Sequence, residues 1–189
     1  MNNRLMIGIT GASGARLGVR TVEMAGELEV ETHLVVSRGG EATLFHETGR
    51  DLPSVMAQAD FSYPVREIGA QPASGSFKMV GMVIVPCSMK TLSAVVNSYA
   101  DSLLTRAADV TLKERRPLVL VVRETPLHKG HLDLMRRAAD LGAVIFPPVP
   151  AFYHRPESIE QMVDQMVARI LEPFGLEHPA RRSWPGLSP

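Results

Sequence analysis

The chain has 189 residues, of which 45% are hydrophobic, so it is long enough to bury a sizeable core without disulfides. Its 20 basic side chains balance 20 acidic ones, which gives no electrostatic reason to expect nucleic acid or an anionic membrane as a partner. The single cysteine excludes an internal disulfide and a cysteine-based zinc cluster, and it fits a reducing compartment. No apolar run approaches the length of a membrane span. We therefore expect a soluble, cytoplasmic protein.

The first part of the chain alternates apolar runs with helical patterns. Its predicted strands are residues 5–10 and 31–37, and its predicted helices are residues 16–28 and a segment from after Gly40 to about Glu47. The stretch 51–77 is less regular: it predicts a short helix at 54–59 and then a loop rich in proline and glycine.

The second part of the chain repeats the same alternation. Its predicted strands are residues 82–86, 118–122 and 143–146, and its predicted helices are a segment up to about Tyr99 and residues 102–115, 128–141 and 158–171. Strands that are apolar throughout and alternate with helices predict a mostly parallel sheet covered on both faces. The expected fold class is therefore a doubly wound, Rossmann-like α/β domain formed by the whole chain, residues 1–189. Residues 172–189 are predicted to be an irregular tail containing Pro173, Pro179, Pro185 and Pro189.

A small-residue turn, Gly8-Ile-Thr-Gly-Ala-Ser-Gly-Ala15, follows the first strand. Such a turn before a helix can hold a phosphate on backbone N–H groups, or it can be a tight connection that binds nothing. Its G-x-x-G-x-x-G spacing differs from the G-x-G-x-x-G of dinucleotide folds. Ser37 also stands where a nicotinamide enzyme would carry an acidic residue, although Arg38 could meet a ribose phosphate. NAD is therefore a minor hypothesis.

Small, polar or charged residues follow each predicted strand, at the edge where open α/β sheets bind ligands. They are Thr10 to Ser13, Ser37 and Arg38, Cys87 to Thr91, and Arg123 to Thr125. This pattern predicts a binding cleft at the carboxyl edge of the sheet.

Several charged residues have both a functional and a structural interpretation. Arg106, Asp109 and Lys113 share one helix face, which suits phosphate binding, but the spacing alone favours a solvated face with Arg106 and Asp109 as a surface ion pair. Glu47 and Glu124 could act in acid–base or charge-stabilising chemistry, or could simply be solvated at the ends of their elements.

The remaining candidates are a cysteine, two histidines and a loop aromatic. We expect Cys87 to lie in the core rather than to act as a nucleophile. His128 and His131 are spaced i, i+3 on a helix, but with no third ligand evident we expect no metal. Tyr153, in the loop 152–156, either closes over a ligand or packs on its own subunit.

Four long blocks resemble the flavin prenyltransferases of the UbiX type, formerly described as aromatic acid decarboxylases. They are GITGASGA at 8–15, VIVPCSMKTLS at 83–93, LLTRAADVTLKERRPLVLVVRETPLH at 103–128 and GAVIFPPVPAFYHRP at 142–156. The resemblance covers nearly the whole chain and implies a flavoprotein-type fold. It also implies that a prenyl group from dimethylallyl monophosphate is joined to N5 and C6 of reduced FMN. The product, prenylated FMN, would serve a UbiD-type decarboxylase.

The resemblance also implies roles for individual residues. The implied FMN-binding residues are Gly11, Ala12, Ser13, Ser37, Ser88, Met89, Lys90, Thr91 and Arg123. The implied prenyl-phosphate ligands are Arg106, Lys113, Tyr153 and Arg169. Ser13, Glu47 and Glu124 match polar residues implicated in the chemistry, and we assign them to proton handling and to stabilisation of the flavin–prenyl adduct.

The family further implies a large homo-oligomer, a dodecamer, with sites at subunit contacts, and a reaction without a divalent metal. Two alternative functions remain open at this point. One is an FMN carrier without chemistry, and the other is a flavin-dependent decarboxylase acting on an aromatic acid or a cysteine.

Overall fold

The computed structural model describes residues 3–184 and 186 and contains one six-stranded sheet, in which every strand pairs in parallel. The strands are β1 (Arg4–Ile9), β2 (Glu31–Val36), β3 (Phe61–Tyr63), β4 (Gly81–Cys87), β5 (Leu118–Val122) and β6 (Val144–Ile145). The helices are α1 (Ala15–Glu27), α2 (Arg38–Thr48), α3 (Leu52–Met56), α4 (Met89–Val96), α5 (Leu103–Lys113), α6 (Lys129–Asp140) and α7 (Ile159–Leu171). Among the described residues, no helix has the length and apolarity needed to cross a membrane.

The strand order is β3-β2-β1-β4-β5-β6, so the chain reverses its direction of travel across the sheet between β1 and β4. At such a switch point the loops after the two central strands diverge and leave a crevice at the carboxyl edge. The predicted α/β fold class is confirmed, and the switch point locates its crevice.

The helices divide between the two faces of the sheet. On one face, Ile7 and Ile9 of β1 pack with residues of α1 and α7 such as Ile170. On the other face, Met6 and Ile84 pack with residues of α4, α5 and α6 such as Leu104. The strands are apolar on both sides because both faces are covered. As a result, α5 and α7 lie on opposite sides of the sheet.

One strand is absent from the sequence prediction. Strand β3, Phe61–Tyr63, pairs with β2 at the sheet edge, inside the stretch predicted to be a loop. It is short, and two of its three residues are exposed, so it lacks the apolar run that reveals the other strands.

The tail agrees in part with its predicted irregularity. Residues Glu172–Phe174 form a short 3₁₀ turn, and the described residues beyond it carry no helix or strand. Pro185 and Pro189, which the sequence analysis placed in this tail, lie outside the described residues.

Candidate active site

A cleft of about 990 Å³ opens at the carboxyl edge of the sheet, at the switch point. Five of the predicted FMN-binding residues line it: Gly11, Ser37, Ser88, Lys90 and Thr91. Arg38, which was also predicted at this edge, lines the cleft as well. The sequence did not predict its other walls, which are formed by Gly39, Val65, Arg66, Ser93, Ala94, Asn97, Tyr99, Asp101, Ser102, Leu104 and Thr105. The strand ends therefore build one side of the cleft. Helices α4 and α5 and the loop that contains Val65 and Arg66 build the rest.

Two backbone segments touch on the floor of the cleft. A Cβ atom on Gly11 would lie 2.9 Å from the main-chain Cα and C atoms of Gly39, closer than a real Cβ approaches backbone. Glycine at position 11 is thus required by the close approach of the loops after β1 and β2. The contact therefore fixes the loops after β1 and β2 against each other.

Two of the helices that begin at the cleft, α2 and α4, are capped by predicted FMN-binding serines. The Ser37 hydroxyl accepts a hydrogen bond from the Gly40 N–H at 3.0 Å, and the Ser88 hydroxyl accepts one from the Thr91 N–H at 3.3 Å. The other first-turn N–H groups of α2 and α4 have no partner within their helices. The N-termini of α2 and α4 are therefore each suited to an anion.

The N-terminus of α1, at the same edge, already holds an anionic group. The Glu47 carboxylate, on α2, accepts hydrogen bonds from the Gly14 N–H at 2.9 Å and from the Ala15 N–H at 2.8 Å. The glycine turn that could have held a phosphate is thus occupied by the protein's own carboxylate. The same contact brings Glu47 beside exposed Ser13, so two of the three predicted catalytic residues lie together.

Thr10 was predicted to lie at the binding edge, but the sequence analysis assigned it no role of its own. Its buried hydroxyl donates to the Pro86 carbonyl at 2.7 Å and accepts from the Ser88 N–H at 2.8 Å. It therefore fixes the turn before α4 against the turn after β1. A threonine directly after a buried strand is the only sequence signal that could have identified it.

The remaining predicted flavin-site residues lie at the same edge. Ala12 is buried and Met89 is half-buried, whereas Arg123 and Glu124 are exposed beyond β5. The Arg123 N–H donates to the Cys87 carbonyl at 3.2 Å, and the Glu124 carboxylate accepts from the Thr125 N–H at 3.0 Å. The third predicted catalytic residue thus lies beyond β5 and bonds only locally in the described chain.

The four predicted prenyl-phosphate ligands fall into two groups. Arg106 donates to the Ala73 carbonyl at 3.3 Å and pairs with Asp109 at 2.9 Å, and Lys113 pairs with its neighbour Glu114. The surface ion pair suggested by the spacing on this helix is therefore present. Both basic residues lie on α5, on the α4–α6 side of the sheet.

Tyr153 and Arg169 lie on the opposite side of the sheet from Arg106 and Lys113. They line a separate cavity of about 200 Å³ with Phe146 and Gln165 of the α7 region. Because α5 and α7 cover opposite faces, one chain does not bring the four residues together.

The other reactive candidates have structural roles. Cys87 is fully buried, and its burial raises the pKa of the thiol to about 12, as expected for a core residue. The His128 ring accepts hydrogen bonds from the Gly130 and His131 N–H groups and so caps α6. In the described part of the chain, no three potential metal ligands come together.

The sequence profile of the flavoprotein family matches residues 1–171. The flavin prenyltransferase UbiX of Escherichia coli (strain K12) is 57% identical over 177 residues, covering 93% of this chain and 94% of the relative. The crystal structure of AnUbiX (PadA1) in complex with FMN and dimethylallyl pyrophosphate superposes with a TM-score of 0.97 at 47% identity, covering both chains fully. The chain belongs to the UbiX family of flavin prenyltransferases.

A second UbiX-family structure bears on assembly. The dodecameric FMN-dependent UbiX-like decarboxylase from Escherichia coli O157:H7 superposes with a TM-score of 0.94 at 48% identity, over 97% of this chain and all of that one. Membership of the UbiX family confirms the flavoprotein-type fold that the four sequence blocks implied.

Proposed function

We propose that this protein transfers a dimethylallyl group from dimethylallyl monophosphate to N5 and C6 of reduced FMN, giving prenylated FMN and phosphate. The observation that carries the proposal is the match over the full chain, at a TM-score of 0.97, to a relative described with FMN and dimethylallyl pyrophosphate. The protein is a prenyltransferase and FMN is its flavin. One relative is described as a UbiX-like decarboxylase, but the relative that is 57% identical to this chain is a flavin prenyltransferase, so the carrier and decarboxylase alternatives are not favoured.

The proposed FMN seat is the cleft at the switch point, with the nine residues named in the sequence analysis around it. The flavin phosphate goes to the first turns of α2 and α4, because both offer N–H groups beside capping Ser37 and Ser88. The first turn of α1 is excluded for the phosphate, since Glu47 occupies it. This arrangement leaves the Ser13–Glu47 pair available to the reacting part of the ligand.

The proposed seat for the prenyl phosphate is built by two copies of the chain. Tyr153 and Arg169 come from one copy, and Arg106 and Lys113 come from α5 of another. The placement of α5 and α7 on opposite sides of the sheet supports this division, and so does the dodecameric assembly of a UbiX-family relative. We propose a homo-oligomer of the same kind for this chain.

The basic residues neutralise the phosphate as it leaves. In the overall reaction, the C–O bond to phosphate breaks, bonds form from the prenyl carbons to N5 and C6, and N5 and C6 each lose a proton. The prenyl double bond takes up one proton in closing the ring. We assign these transfers to Ser13, Glu47 and Glu124, with the leaving phosphate as a further base. Arginine and lysine can balance the charge of a monophosphate, so we propose that the reaction needs no metal.

An anaerobic incubation tests the reaction. Purified protein, FMN, a reductant and dimethylallyl monophosphate are combined, and the released flavin is analysed by mass spectrometry. We expect the flavin mass to rise by one prenyl unit, with or without a chelator. An unchanged mass with tight FMN binding would favour the carrier, and loss of carboxyl groups from an added aromatic acid or peptide cysteine would favour the decarboxylase.

Subunit complementation tests the two-copy site. Arg106→Ala and Arg169→Ala variants are each expected to lose turnover, and co-expression of the two should restore about a quarter of the sites in a randomly mixed oligomer. Co-expressed oligomers as inactive as either variant alone would contradict the division of the site between copies.

The whole chain forms one flavin-binding domain, and the product passes to a UbiD-type decarboxylase. The lone cysteine supports a reducing, cytoplasmic setting. Transfer is tested by adding the reaction mixture to a UbiD-type apoenzyme, which should gain decarboxylase activity only when dimethylallyl monophosphate was present.

A further inference from the structure

The segment after α7 returns across the cavity that holds Tyr153 and Arg169. We call residues 180–184 the C-terminal strap. The side chain of Gln165, on α7, binds the main chain of Arg182 at both of its polar groups. The Gln165 Oε1 accepts from the Arg182 N–H at 2.8 Å, and the Gln165 Nε2 donates to the Arg182 carbonyl at 3.1 Å. The Gln165 side chain thus pairs with both main-chain groups of Arg182, as a neighbouring β-strand would.

Gln165 is 2% exposed, and it is the one amide side chain in the buried part of the described chain. Leaving a buried polar group without a partner destabilises the fold, so an amide at this position has to find hydrogen-bond partners. Its recorded partners are both main-chain groups of the strap. The residue type at position 165 is therefore explained by the strap and not by the helix.

The strap also binds Tyr153. The Tyr153 hydroxyl donates to the Arg182 carbonyl at 3.0 Å, the same oxygen that accepts from Gln165. The Trp184 ring packs edge-on against Tyr153, with centroids 5.3 Å apart. One carbonyl oxygen thus uses both of its lone pairs, one on Gln165 and one on Tyr153.

Arg169 is bound through a similar shared acceptor. The Glu172 carboxylate pairs with Arg169 at 3.3 Å and with Arg181 of the strap. Tyr153 therefore donates to a carbonyl oxygen that has a second donor, and Arg169 pairs with one oxygen of a carboxylate whose other oxygen accepts from Arg181. If Tyr153 and Arg169 turned to a phosphate, the Arg182 carbonyl would keep Gln165 and the Glu172 carboxylate would keep Arg181.

We propose that Gln165 is a positioning residue for the prenyl phosphate: it seats the strap, whose acceptors hold Tyr153 and Arg169 in place until phosphate oxygens replace them. The exchange leaves neither acceptor without a donor, so it proceeds without unseating the strap. The ligand class is a phosphate monoester with an apolar tail, which follows from two donors beside the Phe146 and Trp184 rings. This inference rests on the proposed function.

Gln165→Met tests the inference, because it removes both hydrogen bonds and keeps an unbranched side chain of similar length. The matched control is Gln161→Met, the same change one turn earlier in the exposed first turn of α7, where the side chain accepts only from the Glu157 N–H. We expect Gln165→Met to raise the KM for dimethylallyl monophosphate about tenfold, equivalent to about 1.4 kcal/mol. The Kd for FMN and kcat at saturating substrate should stay within about threefold of the parent. Gln161→Met should change none of them.

Trp184 supplies a second readout, because it is the single tryptophan of the sequence. Without substrates, Gln165→Met should shift its emission to longer wavelength and increase its quenching by acrylamide. In the parent protein, dimethylallyl monophosphate should leave the quenching unchanged, since the strap stays seated. Unchanged Trp184 emission and an unchanged KM for dimethylallyl monophosphate in Gln165→Met would overturn the proposal. A loss of FMN affinity as large as the rise in that KM would also overturn it, because it would mark a purely structural role.

A second pair of variants covers the case in which Gln165→Met does not fold. Arg182→Pro removes the N–H that Gln165 accepts from, whereas Arg182→Ala keeps it, and position 182 lies in an exposed, irregular segment. Arg182→Pro should raise the KM for the prenyl phosphate and Arg182→Ala should not, and equal values for the two would overturn the proposal. A parent protein that makes no prenylated flavin would defeat the proposed function by itself. The Trp184 emission and quenching measurements need no turnover, so they would still decide in that case whether Gln165 seats the strap.

Discussion

Replacing Glu47 by glutamine separates its structural contact from its proposed chemistry. The amide oxygen of glutamine can still accept from the Gly14 and Ala15 N–H groups, which now lie 2.9 and 2.8 Å from the carboxylate. What is lost is the charge at the helix N-terminus and the second, 3.2 Å contact with Gly14. Because the carboxylate is exposed and screened, we expect the free energy of unfolding to fall by only about 1 kcal/mol.

This stability loss corresponds to a Tm lower by about 2–4 °C for a chain of this length. Loss of a proton-transfer group, in contrast, lowers kcat by about 10²- to 10⁴-fold, or about 3–5 kcal/mol of transition-state stabilisation. The difference between the two magnitudes makes the roles separable. Thermal unfolding and anaerobic single-turnover formation of prenylated FMN measure them independently.

Glu29→Gln is the matched control, since Glu29 is exposed in the turn between α1 and β2, at the opposite edge of the sheet. It should change neither turnover nor FMN binding. If Glu47→Gln turned over within about threefold of the parent protein, Glu47 would be reduced to a structural tie between α2 and the glycine turn.

Three further predictions concern the cleft and the core. Gly11→Ala forces apart two backbones and should cost about 1–3 kcal/mol of stability and most of the FMN affinity, measured by thermal unfolding and flavin fluorescence. The control Gly26→Ala places its methyl group in open space and should stabilise the protein by about 0.5–1 kcal/mol. Thr10→Val leaves the Ser88 N–H without its buried acceptor and should weaken FMN binding by about 1–3 kcal/mol. An unchanged Kd for FMN in a titration would show that the turn before α4 keeps its conformation without Thr10. Burial lowers the pKa of His33 below its ordinary 6.5. The free energy of unfolding should therefore decline as the pH falls through 6.5, because the unfolded chain then takes up a proton that the folded chain does not. His33→Phe should flatten this decline, measured by urea titrations between about pH 7.5 and 5.5.

The carboxyl-edge residues of the cleft were predictable from local sequence. Parallel strands all end at one edge of the sheet, so polar residues that follow apolar runs, such as Ser37 and Ser88, have to converge there. The capping roles of these serines follow from the helices that begin directly after them.

Other parts of the site depend on contacts between distant segments. Arg66 and Asp101 line the cleft because loops outside the strand ends fold over it, and nothing in their own neighbourhood predicts that. The contact of Glu47 with Gly14 joins positions 33 residues apart. It changed the interpretation of the glycine turn from a phosphate cradle to a seat for a carboxylate.

The sequence by itself determined the fold class, the edge at which ligands bind and the family, because these depend on hydrophobic periodicity and on contiguous blocks of residues. Tertiary structure alone decided which helix N-termini stay available to an anion and which face of the sheet each helix covers. It also decided that Gln165 meets the strap. Such facts depend on pairings across the sheet and between segments far apart in the chain, which no local pattern encodes.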